Sequence, residues 1–145
     1  MVKPLSALAL GFGFCLAAPT VAGAAKLGEL SKYLAFVEGF QHLFEFCQAE
    51  TTLPDEQVTY ARRHIGERRA FIFAGLDEKQ RARISADSPA KKKVMLDGVA
   101  EHIKQEHPGK SLKDLCREGY FEGIMAAEQE SDDEERAAIR RAKER

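Results

Sequence analysis

The chain has 145 residues, with 22 Lys and Arg against 23 Asp and Glu, 44% hydrophobic residues and 8% aromatic residues without Trp. That length admits a single domain, and the composition excludes collagen-like, wholly disordered and multi-span membrane chains. A formal charge of −1 gives no overall field with which to hold a nucleic acid.

The first 24 residues read as an export signal. Lys3 supplies a basic start, Leu5 to Ala18 form an uncharged, mostly apolar run of 14 residues, and Ala22-Gly23-Ala24 offer the small residues a signal peptidase reads. The run is shorter than the roughly 20 residues that span a bilayer. Cys15 follows Phe14 within the run, where a lipid-attachment site would need a small residue, so it is expected to leave with the peptide. Removal of these 24 residues leaves 121 of the 145, enough for one compact core, and places the product in the periplasm or outside the cell.

From Leu27 to about Ala49, Leu27, Leu30, Tyr33, Leu34, Val37, Phe40, Phe44 and Cys47 recur at three- and four-residue steps, a single stripe on a helix. Thr52 before Leu53-Pro54-Asp55-Glu56 predicts a second helix with a hydroxyl cap and acids in its first turn, running to about Ala74 with Gly75 as a left-handed stop. Asp77 and Gln80 resemble a capping box opening a short basic helix to about Ile84, and Ser85 to Pro89 are expected to break it. A fourth helix then starts at Pro89, carries Met95, Leu96, Val99 and Ile103 on its apolar face, and ends at His107-Pro108-Gly109.

Ser111 and Asp114 signal a last helix. Leu112, Leu115, Cys116, Gly119, Tyr120, Gly123, Ile124 and Ala127 lie on one side of it, with Gly119 and Gly123 permitting a close helix crossing. No run alternates with the period of a strand. The fold class is all-α: an antiparallel four-helix bundle with a short connecting helix and a charged C-terminal extension. The expected layout is a signal peptide over 1–24, a helical domain over 25–128 and a charged helical tail over 129–145. In the tail, acids precede bases as the helix dipole favours, and the tail is expected to be solvated because no apolar face continues through it.

In such a bundle the end of the first long helix meets the start of the last, which places Cys47 beside Cys116. Both lie on apolar stripes, and an exported chain with two cysteines oxidises them. The spacing is not the Cys-x-x-Cys of a redox-active pair. The segment from Cys116 through Gly119-Tyr120-Phe121-Glu122-Gly123 resembles a piece of the small helical, disulfide-bonded periplasmic immunity proteins. The resemblance covers under a tenth of the chain and lacks their following cysteine pattern.

Motifs for chemistry are few. No serine-nucleophile turn, Gly-rich phosphate loop or cofactor motif is present. Glu38 and His42 sit four apart, with Glu45 three beyond, as a weak surface metal patch whose simpler reading is a solvated polar edge. In the second helix Arg68 falls in the middle of an apolar face beside His64 and must reach water along its stem or find a carboxylate. Glu118 and Glu122 are the candidates by helical geometry. The stretch 62–93 carries an excess of basic residues, including Lys91, Lys92 and Lys93, and could contact an anionic surface or an acidic partner. Phe121 and Met125 fall outside the bundle stripe, so they are candidates for an exposed partner contact.

These features predict an exported, non-enzymatic helical protein that binds another protein, as a stress chaperone, adaptor or immunity-type protein. The alternative is a small-ligand or metal carrier centred on Arg68 and His64 or on Glu38 and His42.

Overall fold

The computed structural model describes the backbone of residues 3–145 and the side chains of residue 23 and residues 26–145. The expected signal-peptide features, Cys15 included, therefore lie outside the described side chains. Five helices and no strand are present among the described residues: α1 Lys3–Glu50, α2 Asp55–Phe73, α3 Glu78–Glu106, α4 Leu112–Arg117 and α5 Tyr120–Glu144. None of them, over the residues described, is long and apolar enough to cross a membrane.

The all-α reading holds, and α1 is the stem of the assembly, touching each of the other four helices and α3 most extensively. Its stripe from Leu30 to Cys47 is buried as the spacing requires, with Leu30, Leu34, Val37, Phe40 and Phe44 in one core cluster with Ile65, Ile72, Ile84, Phe121 and Ile139. The contacts fix the helix directions. At one end a disulfide joins Cys47 to Cys116, with the Cα atoms 5.0 Å apart, and Phe121 packs 5.6 Å from Phe40 and 5.5 Å from Phe44 between ring centroids. At the other end Arg145 pairs with Glu29 at 2.5 Å, and Lys143 donates to the carbonyls of Phe71 and Ala74. The four long helices thus alternate in direction, and α4 is the short link across the disulfide end.

Several boundaries differ from expectation. Pro54 caps α2 without any side-chain bond, so Thr52 does not act as its hydroxyl cap; proline's fixed φ opens the helix instead. Gly75 is left-handed at φ +78, and the Asp77/Gln80 capping box is complete. The helix it opens does not stop near Ile84. It runs through Pro89 to Glu106 as one helix. Proline removes the donor that would reach the Ser85 carbonyl, and the Ser88 hydroxyl takes up part of that deficit, lying 3.4 Å from Ser85 O and 3.1 Å from a carboxylate oxygen of Glu38. Burial of Ile84 and Ser88 then outweighs the local cost of the proline.

The last helix is likewise not one piece. Gly119, at φ +92, turns the chain between α4 and α5, a backbone state open to glycine. A Cβ on Gly119 or Gly123 would meet nothing within 4 Å, so neither marks a close crossing. That role belongs to Gly39, where a Cβ would overlap Met95 of α3. Nor is the C-terminal stretch solvated all round: Ile139 and Ala142 are completely buried. Two small apolar positions suffice to seat the end of α5 because its charged neighbours find partners on α1 and α2.

Two outcomes follow. Replacing Cys47 and Cys116 together by Ala should lower stability by up to about 4 kcal/mol, the chain-entropy value for a loop of this length, read as a shifted urea midpoint. Ile139→Ala should cost about 2–5 kcal/mol as a core deletion does, whereas an unchanged midpoint would mean that the end of α5 is not seated.

Candidate functional site

Arg68 is 1% exposed, buried in the α2 face as its helical position requires. Its carboxylate partners are not Glu118 and Glu122. Glu118 bonds Lys110 at 2.8 Å on the surface, and Glu122 is exposed, because the turn at Gly119 separates α4 from α5 and re-aims both positions. Arg68 Nη2 instead donates to Asp132 Oδ1, and Nη1 lies 2.5 Å from Glu135 Oε2. That second approach is an ion contact outside hydrogen-bond geometry, and Nε has no acceptor.

One turn before Arg68, His64 is 6% exposed. Its Nε2 lies 3.0 Å from Glu128 Oε2 and its Nδ1 3.8 Å from Asp132 Oδ1. Tyr60 stacks on the imidazole with an interplanar angle of 16°. The pairs His64–Glu128 and Arg68–Asp132 have the same sequence separation of 64, so α2 and α5 run parallel in register with rungs four residues apart. Arg136 continues the ladder with Asp132 at 2.9 Å and Glu67 at 3.8 Å.

The two carboxylates around Arg68 divide the roles. Burial works against ionised Asp132, but bonds from Arg136 and Arg68 outweigh it and hold its carboxyl below the ordinary range. Glu135 is buried more deeply; desolvation raises its pKa, and Arg68 offsets only part of that. Asp132 is thus the ionised partner of the guanidinium, and Glu135 is the group that takes a proton most readily. Burial, followed by Glu128 and Asp132, raises the Tyr60 phenol.

Glu128 and Glu135 also line a groove of about 650 Å3 between α1, α3 and α5. Tyr33, Phe36, Phe40 and Leu43 of α1 form its floor, Met95 and Val99 of α3 one wall, and Tyr120, Ile124 and Ala138 of α5 the other. Lys32 and Arg141 stand at its rim. Phe36 is 37% exposed, unusual for a phenylalanine on a core helix and explained by its place in this groove.

Phe121 and Met125 do not form an exposed contact. Phe121 is fully buried between Phe40 and Phe44, and Met125 packs against the same cluster, because α5 is sandwiched on the side that a single stripe leaves open. Of the three consecutive lysines, Lys91 is tied to Gly28 O at 2.6 Å and to Ser31 Oγ, and Lys93 pairs with Asp97 at 2.8 Å. Lys92 lines a shallow polar hollow of about 260 Å3 with Glu38, Gln41, His42, Glu45 and Arg69. Glu38 there bonds Ser88, and among the described residues no three His, Cys, Asp or Glu side chains gather as a metal site.

Sequence reasoning thus located Arg68 and His64 but missed Asp132, Glu135, Glu128 and the groove. The available signal was the matching four-residue spacing of His64/Arg68 and Glu128/Asp132. Comparison with protein-family models, curated proteins and solved structures returns no match.

Arg68→Ala should destabilise by about 3–5 kcal/mol, since it strands two carboxylates, while Arg62→Ala on the exposed side of α2 should change stability by under about 0.5 kcal/mol. Glu135, with its pKa raised from 4.5, binds a proton more tightly in the folded state, so its contribution to stability is lost as pH rises from 4.5 through its raised value. Asp132 has the opposite sign and loses its contribution only as pH falls below 3.8 toward its depressed value. Urea unfolding of the parent and of Glu135→Gln should therefore diverge above pH 4.5, the variant lacking the parent's decline in that window.

Proposed function

We propose that this chain is an exported, non-enzymatic helical binding protein whose working element is the groove between α1, α3 and α5, and that it carries a small molecule with a large apolar part. The observation that carries the reading is the groove itself: about 650 Å3, within the range of small-molecule sites, mostly apolar and with a few placed charges. Four aromatic side chains, Tyr33, Phe36, Phe40 and Tyr120, offer flat apolar contact. The Arg68 ladder behind Glu128 and Glu135 holds that wall rigidly, which favours binding by sparing the cost of ordering the site.

Export is supported by the basic start, the apolar run and the small residues before Ala25, and by the Cys47–Cys116 disulfide, a bond that persists in oxidising compartments. Burial of Phe121 removes one of the two contacts on which a protein-binding role rested. The basic stretch over 62–93 is the surface left to that role, and much of its charge is engaged within the chain, as at Arg68, Lys91 and Lys93.

The test is titration of the protein with the neutral apolar dye N-phenyl-1-naphthylamine. The dye should bind at one site with enhanced fluorescence, and Val99→Trp, which fills the groove from the half-buried wall of α3, should abolish binding while leaving the thermal midpoint within a few degrees. Binding that is unaffected by Val99→Trp, or absent from the parent, would overturn the reading. Mass analysis of exported protein should show a mature chain beginning at Ala25.

A further inference from the structure

The groove is electrically polarised along its length, and its charges are not equivalent. Glu128 and Glu135, the carboxylates of its inner wall, are engaged from behind by His64 and Arg68. Lys32 and Arg141 are exposed rim cations that enter no ion pair among the described residues, whereas Arg145, one turn beyond Arg141, is paired with Glu29. Lys32 rests over the rings of Tyr33 and Phe36, with Nζ 5.2 Å and 5.9 Å from their centroids. It is thus held at the edge of the aromatic floor rather than by a carboxylate.

Because α5 runs antiparallel to α1, with Phe121 beside Phe40 and Phe44 and Arg145 beside Glu29, Lys32 and Arg141 belong to the same end of the groove. The opposite end is lined by Leu43, Tyr120 and Ile124. From Lys32 to Leu43 the floor extends about 16 Å at the helical rise of 1.5 Å per residue. Glu134, the remaining rim carboxylate, precedes Arg141 by about 10 Å along α5 and repels an anion from the middle of the groove, leaving the basic end as the favourable seat for one.

From this juxtaposition we infer that the ligand is a single-chain amphipathic anion, a long-chain carboxylate or its equivalent. Its charged head lies between Lys32 and Arg141 and its tail lies along Phe36, Phe40 and Val99 toward Tyr120. This rests on the groove being the binding element and adds the chemical class and the orientation. A cationic head would meet two unneutralised cations at the basic end and, at the inner wall, carboxylates already engaged by Arg68 and His64. That leaves it the single carboxylate of Glu134 as counter-charge, against two cations for an anion. A neutral apolar molecule would leave the rim charges unused.

The experiment compares three ligands of equal chain length, laurate, 1-dodecanol and dodecyltrimethylammonium, as monomers displacing N-phenyl-1-naphthylamine from the full chain. Laurate should bind about tenfold tighter than dodecanol and tighter still than the cation. Lys32→Gln with Arg141→Gln should erase the advantage of laurate while leaving the dye and dodecanol unchanged, and Lys32→Arg with Arg141→Lys should keep it. Both residues are exposed, so neither pair should disturb folding, and dye binding reports an intact groove in each variant. Equal affinities for the three ligands, preference for the cation, or laurate binding indifferent to the double Gln variant would overturn the inference while leaving the groove as a binding site. Failure of the dye to bind the parent would instead remove the groove reading itself. Co-sedimentation with anionic phospholipid vesicles that depends on Lys32 and Arg141, without binding of monomeric laurate, would assign the rim to a membrane surface and likewise overturn it.

Discussion

The Arg68 guanidinium, carried into the interior by the α2 face and enclosed by Asp132 and Glu135 of α5, is the constraint on which the rest of the arrangement turns. A buried cation leaves the chain little choice, since without carboxylates the cost of its desolvation would be several kcal/mol. That requirement sets the position of α5 along α2, and His64 with Glu128 one turn earlier repeats it in the same register. Few apolar residues are then needed to hold the end of α5. Ile139 and Ala142 close the core, and the charges around them supply specificity of register.

The same ladder shapes the outside of the molecule. Glu128 and Glu135 belong at once to the buried network and to the wall of the α1–α3–α5 groove, so the interaction that positions α5 also fixes the groove's width and neutralises part of its lining. The cations at the far rim, Lys32 and Arg141, enter no ion pair among the described residues. Function in such a molecule is expected where charge and aromatic surface exceed what folding consumes, and both excesses meet at this groove. On the opposite side of α1, the polar hollow around His42 is mixed in sign and has no comparable excess.

The disulfide and the Ser88–Pro89 segment show how the stem helix is held from two directions. Cys47 and Cys116 clamp α4 to the end of α1, with Lys113 and Arg117 each 3.7 Å from Glu50 beside the bond. Along α3, Ser88 bonds Glu38 and Met95 lies against Gly39, so a helix interrupted in its local chemistry is kept continuous by what it touches. Packing against α1 wins over the preference of proline because the lost backbone bond is a single, partly replaced term, whereas burial of Ile84 and Ser88 requires the whole helix.

The sequence alone determined the helical class, the buried stripe of α1, the capping boxes at Asp77 and Ser111, the left-handed stop at Gly75, the pairing of Cys47 with Cys116 and the burial of Arg68. Each is a matter of periodicity or of a few neighbouring residues, for which 3.6 residues per turn is sufficient geometry. What only the tertiary structure decided were relations between distant elements. These are the continuity of α3 through Pro89, the turn at Gly119, the identity of the carboxylates facing Arg68, the burial of Phe121, the seating of the end of α5 and the existence of the groove. Phe121 and Phe36 carry the same side chain, yet one is buried and the other lines an open cavity, because that outcome depends on which helix lies opposite. A helical wheel fixes the direction in which a side chain points, and only the packed bundle decides what it meets there.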